Sequence, residues 1–271
     1  MTVESALSGG GFDVRGYART AHGSHRSKLD LAAYATAPIG ADSLAVIRYL
    51  GRLESGTMEQ LRNLLVTATH KDARVTAFLV TWAFEKFWIA DALDAVLEAS
   101  GMPRLRAEKE GRSSRRRSEA AVRRGPIRRA VLALNKGFPI VGVHSTLGLI
   151  DEWVMDAAYL RLDERAGSPA LSETIGIVRS VKQRHREFFD QESRRRLAES
   201  GRTVALTRKE LGHATWPIGA VDRAATDRTF FERYVFDGEG STIASSIAAK
   251  VAGLPGLDER IGASVAKGLR S

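Results

Sequence analysis

Six apolar residues and one lysine, spaced along a single stripe, constrain this chain more than any other feature. Between Asp72 and Gly101 the positions Val75, Leu79, Trp82, Lys86, Ile89, Leu93 and Val96 recur at steps of three and four, the spacing that lines one face of an α-helix. A strand would send such residues to both faces of a sheet. The same period runs through Ile47, Leu50, Glu54, Met58, Leu61 and Leu65, in a helix predicted to begin at Asp42. It returns in a helix from about Val143 to Arg165, with Leu149, Glu152, Asp156 and Tyr159 on one face. A fourth helix carries Leu171, Ile175, Val178, Lys182, His185 and Phe189; Ser168 is its N-cap, Pro169 its first residue and Gly201 its end. No alternating strand pattern stands out, so the fold class is all-α. Each stripe is interrupted by a charged residue, and burying a charge demands a partner.

The rest of the chain supports one bundle with appendages. Residues 1–40, rich in Gly, Ala and small polar residues without a sustained period, are expected to be a flexible N-terminal arm able to order against the body. Residues 41–201 form the bundle, and 202–271 a C-terminal helical extension with shorter helices near 206–212, 224–235 and 240–252. The segment 102–129 is a long, basic crossover: Arg104 to Arg129 carries a net +8 of the chain's +9. Arg115, Arg116, Arg117, Arg123 and Arg124 are its candidate phosphate contacts, which makes an anionic partner, nucleic acid or acidic lipid, one expectation. That segment has no aromatic residue for base stacking, and a solvated connection also explains it.

The chain has no cysteine. Disulfides, thiolate catalysis and cysteine-held metals are thereby excluded. No apolar run of transmembrane length and no signal-peptide pattern appears, so a cytoplasmic location is expected. Trp82, Phe84, Phe87 and Trp88 fall all around the second helix, which points to burial on several sides or to a homodimer formed through helical faces.

The polar interruptions repeat. Glu54 is followed 32 residues later by Lys86 and then Ile89; Glu152 is followed 30 residues later by Lys182 and then His185. Each helix pair thus offers one carboxylate from its first helix and an i, i+3 pair from its second. This layout resembles the ferritin-like superfamily, in which a Glu from each of two helices and a Glu-x-x-His from each of the other two hold two metals. The stretches TWAFEKFWIADAL, GLIDEWVMDAAYLRLDERAGSP and IVRSVKQRHREFF are similar to the second, third and fourth helices of its oxygenase and desaturase branch. The resemblance covers about residues 42–200 and implies a four-helix bundle with a long crossover.

Position by position, the resemblance makes Glu54, Glu152 and His185 matching ligands, whereas Lys86 and Lys182 stand where glutamates belong and Ile89 where a histidine belongs. Three of six ligands are absent, and two of the replacements are cations. The expectation is a metal-free bundle whose Glu and Lys side chains neutralise each other, in a non-catalytic binding or assembly protein. The alternative is an iron or manganese oxidoreductase with an incomplete site built from Glu54, Glu152 and His185. Glu85 is recruited there if the helix rotates or bulges. Tyr159, two turns beyond Glu152, is an auxiliary candidate for either reading, and its ordinary role is that of an interior tyrosine with a bonded hydroxyl.

Overall fold

The Asp72 carboxylate accepts a hydrogen bond from the Val75 amide and starts the helix that organises the computed structural model. The structure describes residues 11–105, 137–238 and 240–270. In chain order the helices are α1 (Val14–Arg19), α2 (Leu31–Thr36), α3 (Ala41–Ser55), α4 (Thr57–Leu65), α5 (Ala73–Ala99), α6 (Pro139–Ala166), α7 (Pro169–Glu199), α8 (Gly201–Leu211), α9 (Ala225–Phe236), α10 (Gly240–Ala252) and α11 (Glu259–Gly268). Among the described residues there is no strand. The all-α class therefore holds.

Two antiparallel pairs, α3 with α5 and α6 with α7, lie side by side, with α3 against α6 and α5 against α7. The α6–α7 connection is short because Gly167 adopts a left-handed φ of 57° that ends one helix, while Ser168 caps the next through the Leu171 amide. Inside α6, Gly148 lets the two axes approach: a Cβ there would lie 2.7 Å from the Phe189 ring. At the far end, the buried Glu192 of α7 lies 2.6 Å from Arg74 of α5 and 2.6 Å from Arg196. Arg196 also pairs with Asp72. The cap of α5 is thus tied to the last turns of α7.

Several boundaries differ from the sequence reading. The predicted helix over Asp42–Leu65 is broken at Gly56 into α3 and α4, and Met58, placed on the buried stripe, is 46% exposed. The Arg223 guanidinium donates to the Arg52 carbonyl beside the break, occupying an acceptor of the last turn. The third helix begins at Pro139, where a missing N–H costs nothing, not at Val143. The arm expected over residues 1–40 is helical and packed in its described part: α1 and α2 lie on α5 and bury Tyr17 and Tyr34.

Among its described residues the extension holds four α-helices, of which α11 carries no counterpart in the sequence reading. It covers the bundle with α8, α9 and α10 against α6. Ser200 caps α8 directly after α7 ends. No helix of the described residues is long and apolar enough to cross a membrane.

Candidate functional site: a buried network of acids and bases

Where the two pairs meet, four helices each contribute charged groups to one buried cluster. Glu54 comes from α3, Glu85 and Lys86 from α5, Glu152 from α6, and Lys182 and His185 from α7; all are at most 3% exposed. Lys182 Nζ sits between two carboxylates, 3.1 Å from Glu54 Oε1 and 2.9 Å from Glu152 Oε2. Lys86 Nζ lies 3.1 Å from Glu54 Oε2 and 4.8 Å from the centre of the Trp82 ring. Two neutral donors complete the cluster: Tyr159 donates to Glu54 at 3.1 Å, and the Trp82 indole to Glu152 at 3.2 Å.

A second arm of the network leads outward. His185 Nδ1 is 3.6 Å from Glu152, and its Nε2 is 2.8 Å from Glu85 Oε2. Glu85 also accepts from the Tyr17 hydroxyl at 2.6 Å and the His22 amide at 2.8 Å, and pairs with Arg184. Arg184 reaches the surface and bonds the Thr20 carbonyl at 3.2 Å. Both Glu85 and Lys86 are therefore buried, side by side on α5. Neither a rotation nor a π-bulge is needed, since this stretch of α5 is regular α-helix.

The electrostatics follow from these contacts. Burial pushes the Glu54 and Glu152 carboxyls upward, but Lys182 beside both, Lys86 beside Glu54 and His185 beside Glu152 more than offset it, and both end below the ordinary carboxylate range. Burial likewise opposes the charge on Lys182, and the two carboxylates still hold its proton more tightly than usual. The Glu85 carboxyl, raised by burial, is brought down by His185, Tyr17 and the His22 amide. Tyr17 and Tyr159 stay protonated, because burial and then the adjacent carboxylates penalise a phenolate. Glu54, Glu85 and Glu152 stand against Lys86, Lys182 and Arg184, a balanced set of the kind that burial of charge requires.

Asp151 departs from that balance. It is 4% exposed, and its Oδ1 accepts from the Ile218 amide at 2.7 Å. Burial raises its carboxyl to about 6, against the pull of Lys86 and of that amide.

A di-metal centre does not fit these residues. The oxygens of Glu54 and Glu152 that would face metals are turned to ammonium groups at 2.9–3.1 Å, and Ile89, fully buried, supplies only hydrocarbon. Among the described residues, no group of three or more His, Asp or Glu side chains is arranged to hold a metal ion.

Other sequence candidates lie elsewhere. Asp156 is bound at the edge of the α6–α7 pair, 2.8 Å from Arg179 and 3.0 Å from Arg186, and not at the centre. Phe84 and Phe87 are 45% and 37% exposed, so that flank of α5 faces outward, while Trp82 is buried. Arg115, Arg116, Arg117, Arg123 and Arg124 lie outside the described residues. Tyr17, Arg184 and Asp151 escaped the sequence reading. Only Asp151 left a signal, as an acid beside Glu152 in an apolar run.

Compared with protein-family models, curated proteins and solved structures, the chain matches none of them.

Proposed function

We propose that this protein is a ferritin-like four-helix bundle in which a charge-paired core has replaced the di-metal centre, and that it acts in binding or assembly rather than in metal-dependent oxidation. The observation that carries this reading is the position of Lys182. Its ammonium bridges Glu54 and Glu152, the carboxylates that a metal pair would share, at 3.1 and 2.9 Å. A bound divalent ion would have to displace an ammonium held by two anions and then lie beside Lys86 as well. The cost is Coulombic repulsion in a poorly solvated site. The alternative, an iron or manganese oxidoreductase built on Glu54, Glu152 and His185, meets the same obstacle, because Lys182 already holds one oxygen of each carboxylate.

Elemental analysis of tag-free protein grown with added iron and manganese tests this. The expected result is no ion whose retention depends on Glu54 or Glu152. About two ions per chain, lost in Glu54→Ala and Glu152→Ala, would overturn the reading and restore metal-dependent oxidation.

A further inference from the structure

The loop between α1 and α2 reads His22-Gly23-Ser24-His25. Its two imidazole rings have centres 6.2 Å apart and planes inclined by 39°. His25 is 1% exposed, and neither of its ring nitrogens has a hydrogen-bond partner. Buried polar atoms are bonded in the great majority of cases, and an imidazole shut away with both nitrogens unanswered has the surroundings of a site meant for a ligand. His22 is half-buried, the more exposed of the two. Its amide is anchored to Glu85 at 2.8 Å, which fixes the loop and with it the approach of the two rings.

Neither imidazole holds a proton readily. Burial is the main cause that depresses both histidines; Arg184 and Lys28 add to it at His22, and His22 and Lys28 at His25. Both rings are accordingly neutral near pH 7, the form that ligates metals. An ion held at about 2.0–2.1 Å from one nitrogen of each ring sets the ring centres roughly 5–6.5 Å apart. The observed spacing falls within that span. The nearby carboxylates are already engaged: Asp91 takes Arg26 at 2.9 Å, and Glu85 is saturated by the contacts described above. The rest of the coordination shell would be solvent.

We propose that His22 and His25 form a two-imidazole site for one divalent transition ion of the nickel, copper or zinc class, separate from the bundle centre. The site is borderline-soft, nitrogen-only and open on the His22 side. It should therefore prefer copper over nickel and zinc, with little affinity for magnesium or calcium.

Isothermal titration of the tag-free full chain with Cu²⁺, Ni²⁺ and Zn²⁺ in a non-coordinating buffer tests the proposal. One ion per chain is expected. His22→Gln should weaken binding at least tenfold without changing the unfolding transition, and His25→Gln should abolish it. The electron paramagnetic resonance spectrum of the Cu²⁺ form should show two coupled nitrogens in the wild type and fewer in His22→Gln. Should His25→Gln fail to fold, the half-buried His22 variant and the nitrogen count still decide the matter.

Three results would overturn the site: no binding at millimolar metal, binding that survives both substitutions, or an ion that responds to Glu54→Ala but not to His22→Gln. The last outcome would also sink the proposed function. An ion lost only with His22 would leave that function intact.

Discussion

At the scale of the single residue, Asp151 is a buried acid whose charge the fold disfavours. In an unfolded chain its carboxyl titrates near 3.8, and in the fold burial lifts it to about 6. The folded state therefore holds the proton more tightly than the unfolded one. Ionising Asp151 costs stability progressively as pH rises from about 4 to 6, and the full penalty applies above that range. A shift of this size corresponds to about 3 kcal/mol. Asp151→Asn keeps an oxygen for the Ile218 amide and removes the charge. It should raise stability at pH 7 by about 1–3 kcal/mol and leave stability at pH 4 nearly unchanged. Urea unfolding at the two pH values measures this. A loss at pH 7 would mean that the attraction of Lys86 outweighs burial at this position. Glu54, Glu85 and Glu152 behave in the opposite sense: their carboxyls are depressed, so what they contribute is present above the ordinary carboxylate range and is lost as pH falls through their folded values.

At the scale of the element, α6 and α7 pack closely. A Cβ on Gly148 would meet the Phe189 ring at 2.7–3.0 Å. Phe189 is itself 3% exposed and packed against Phe78 and Trp82, so the ring cannot retreat freely. Gly148→Ala is expected to lower stability by about 1–3 kcal/mol, overriding the helix propensity that alanine adds. The same change in a Phe189→Leu background should cost much less, and equal costs in both backgrounds would show that the ring is not the obstacle. What the sequence disclosed about such elements follows from their length. The bounds of α5 and α7 are written in Asp72, Ser168, Pro169 and a long run at helical period. The break at Gly56 is not, because apolar spacing continues through it and the competing donor, Arg223, lies 171 residues beyond Arg52. The helices α1 and α2 each bury one tyrosine, too few positions to show a period. For the same reason the central groups Glu54, Lys86, Glu152, Lys182 and His185 could be grouped by their repeat, whereas Tyr17 and Arg184 enter the network through tertiary folding and have no sequence signature.

At the scale of the whole molecule, the question is what the buried charges contribute. Ion pairs closed off from water repay little more than their own desolvation, and apolar or neutral replacements of similar volume are commonly as stable or more so. Breaking a pair is different. Lys182→Met would leave Glu54 with Lys86 and Tyr159 but deprive Glu152 of its nearest cation, and a loss of about 3–5 kcal/mol follows. Neutralising the centre as a unit avoids that penalty. In the combined variant Glu54→Gln, Lys86→Met, Glu152→Gln and Lys182→Met, the amide oxygens at 54 and 152 can still accept from Tyr159 and Trp82, which now donate to the two carboxylates. The substituted methionines fill the space of the lysine stems. This variant should unfold at equal or higher urea concentration than the wild type, with a gain of up to about 4 kcal/mol and the same helical content. Such a gain would mean that the charged core is kept for something other than folding stability, as a binding role at this centre requires. A loss comparable to that of Lys182→Met alone would instead assign the network to holding the two helix pairs together.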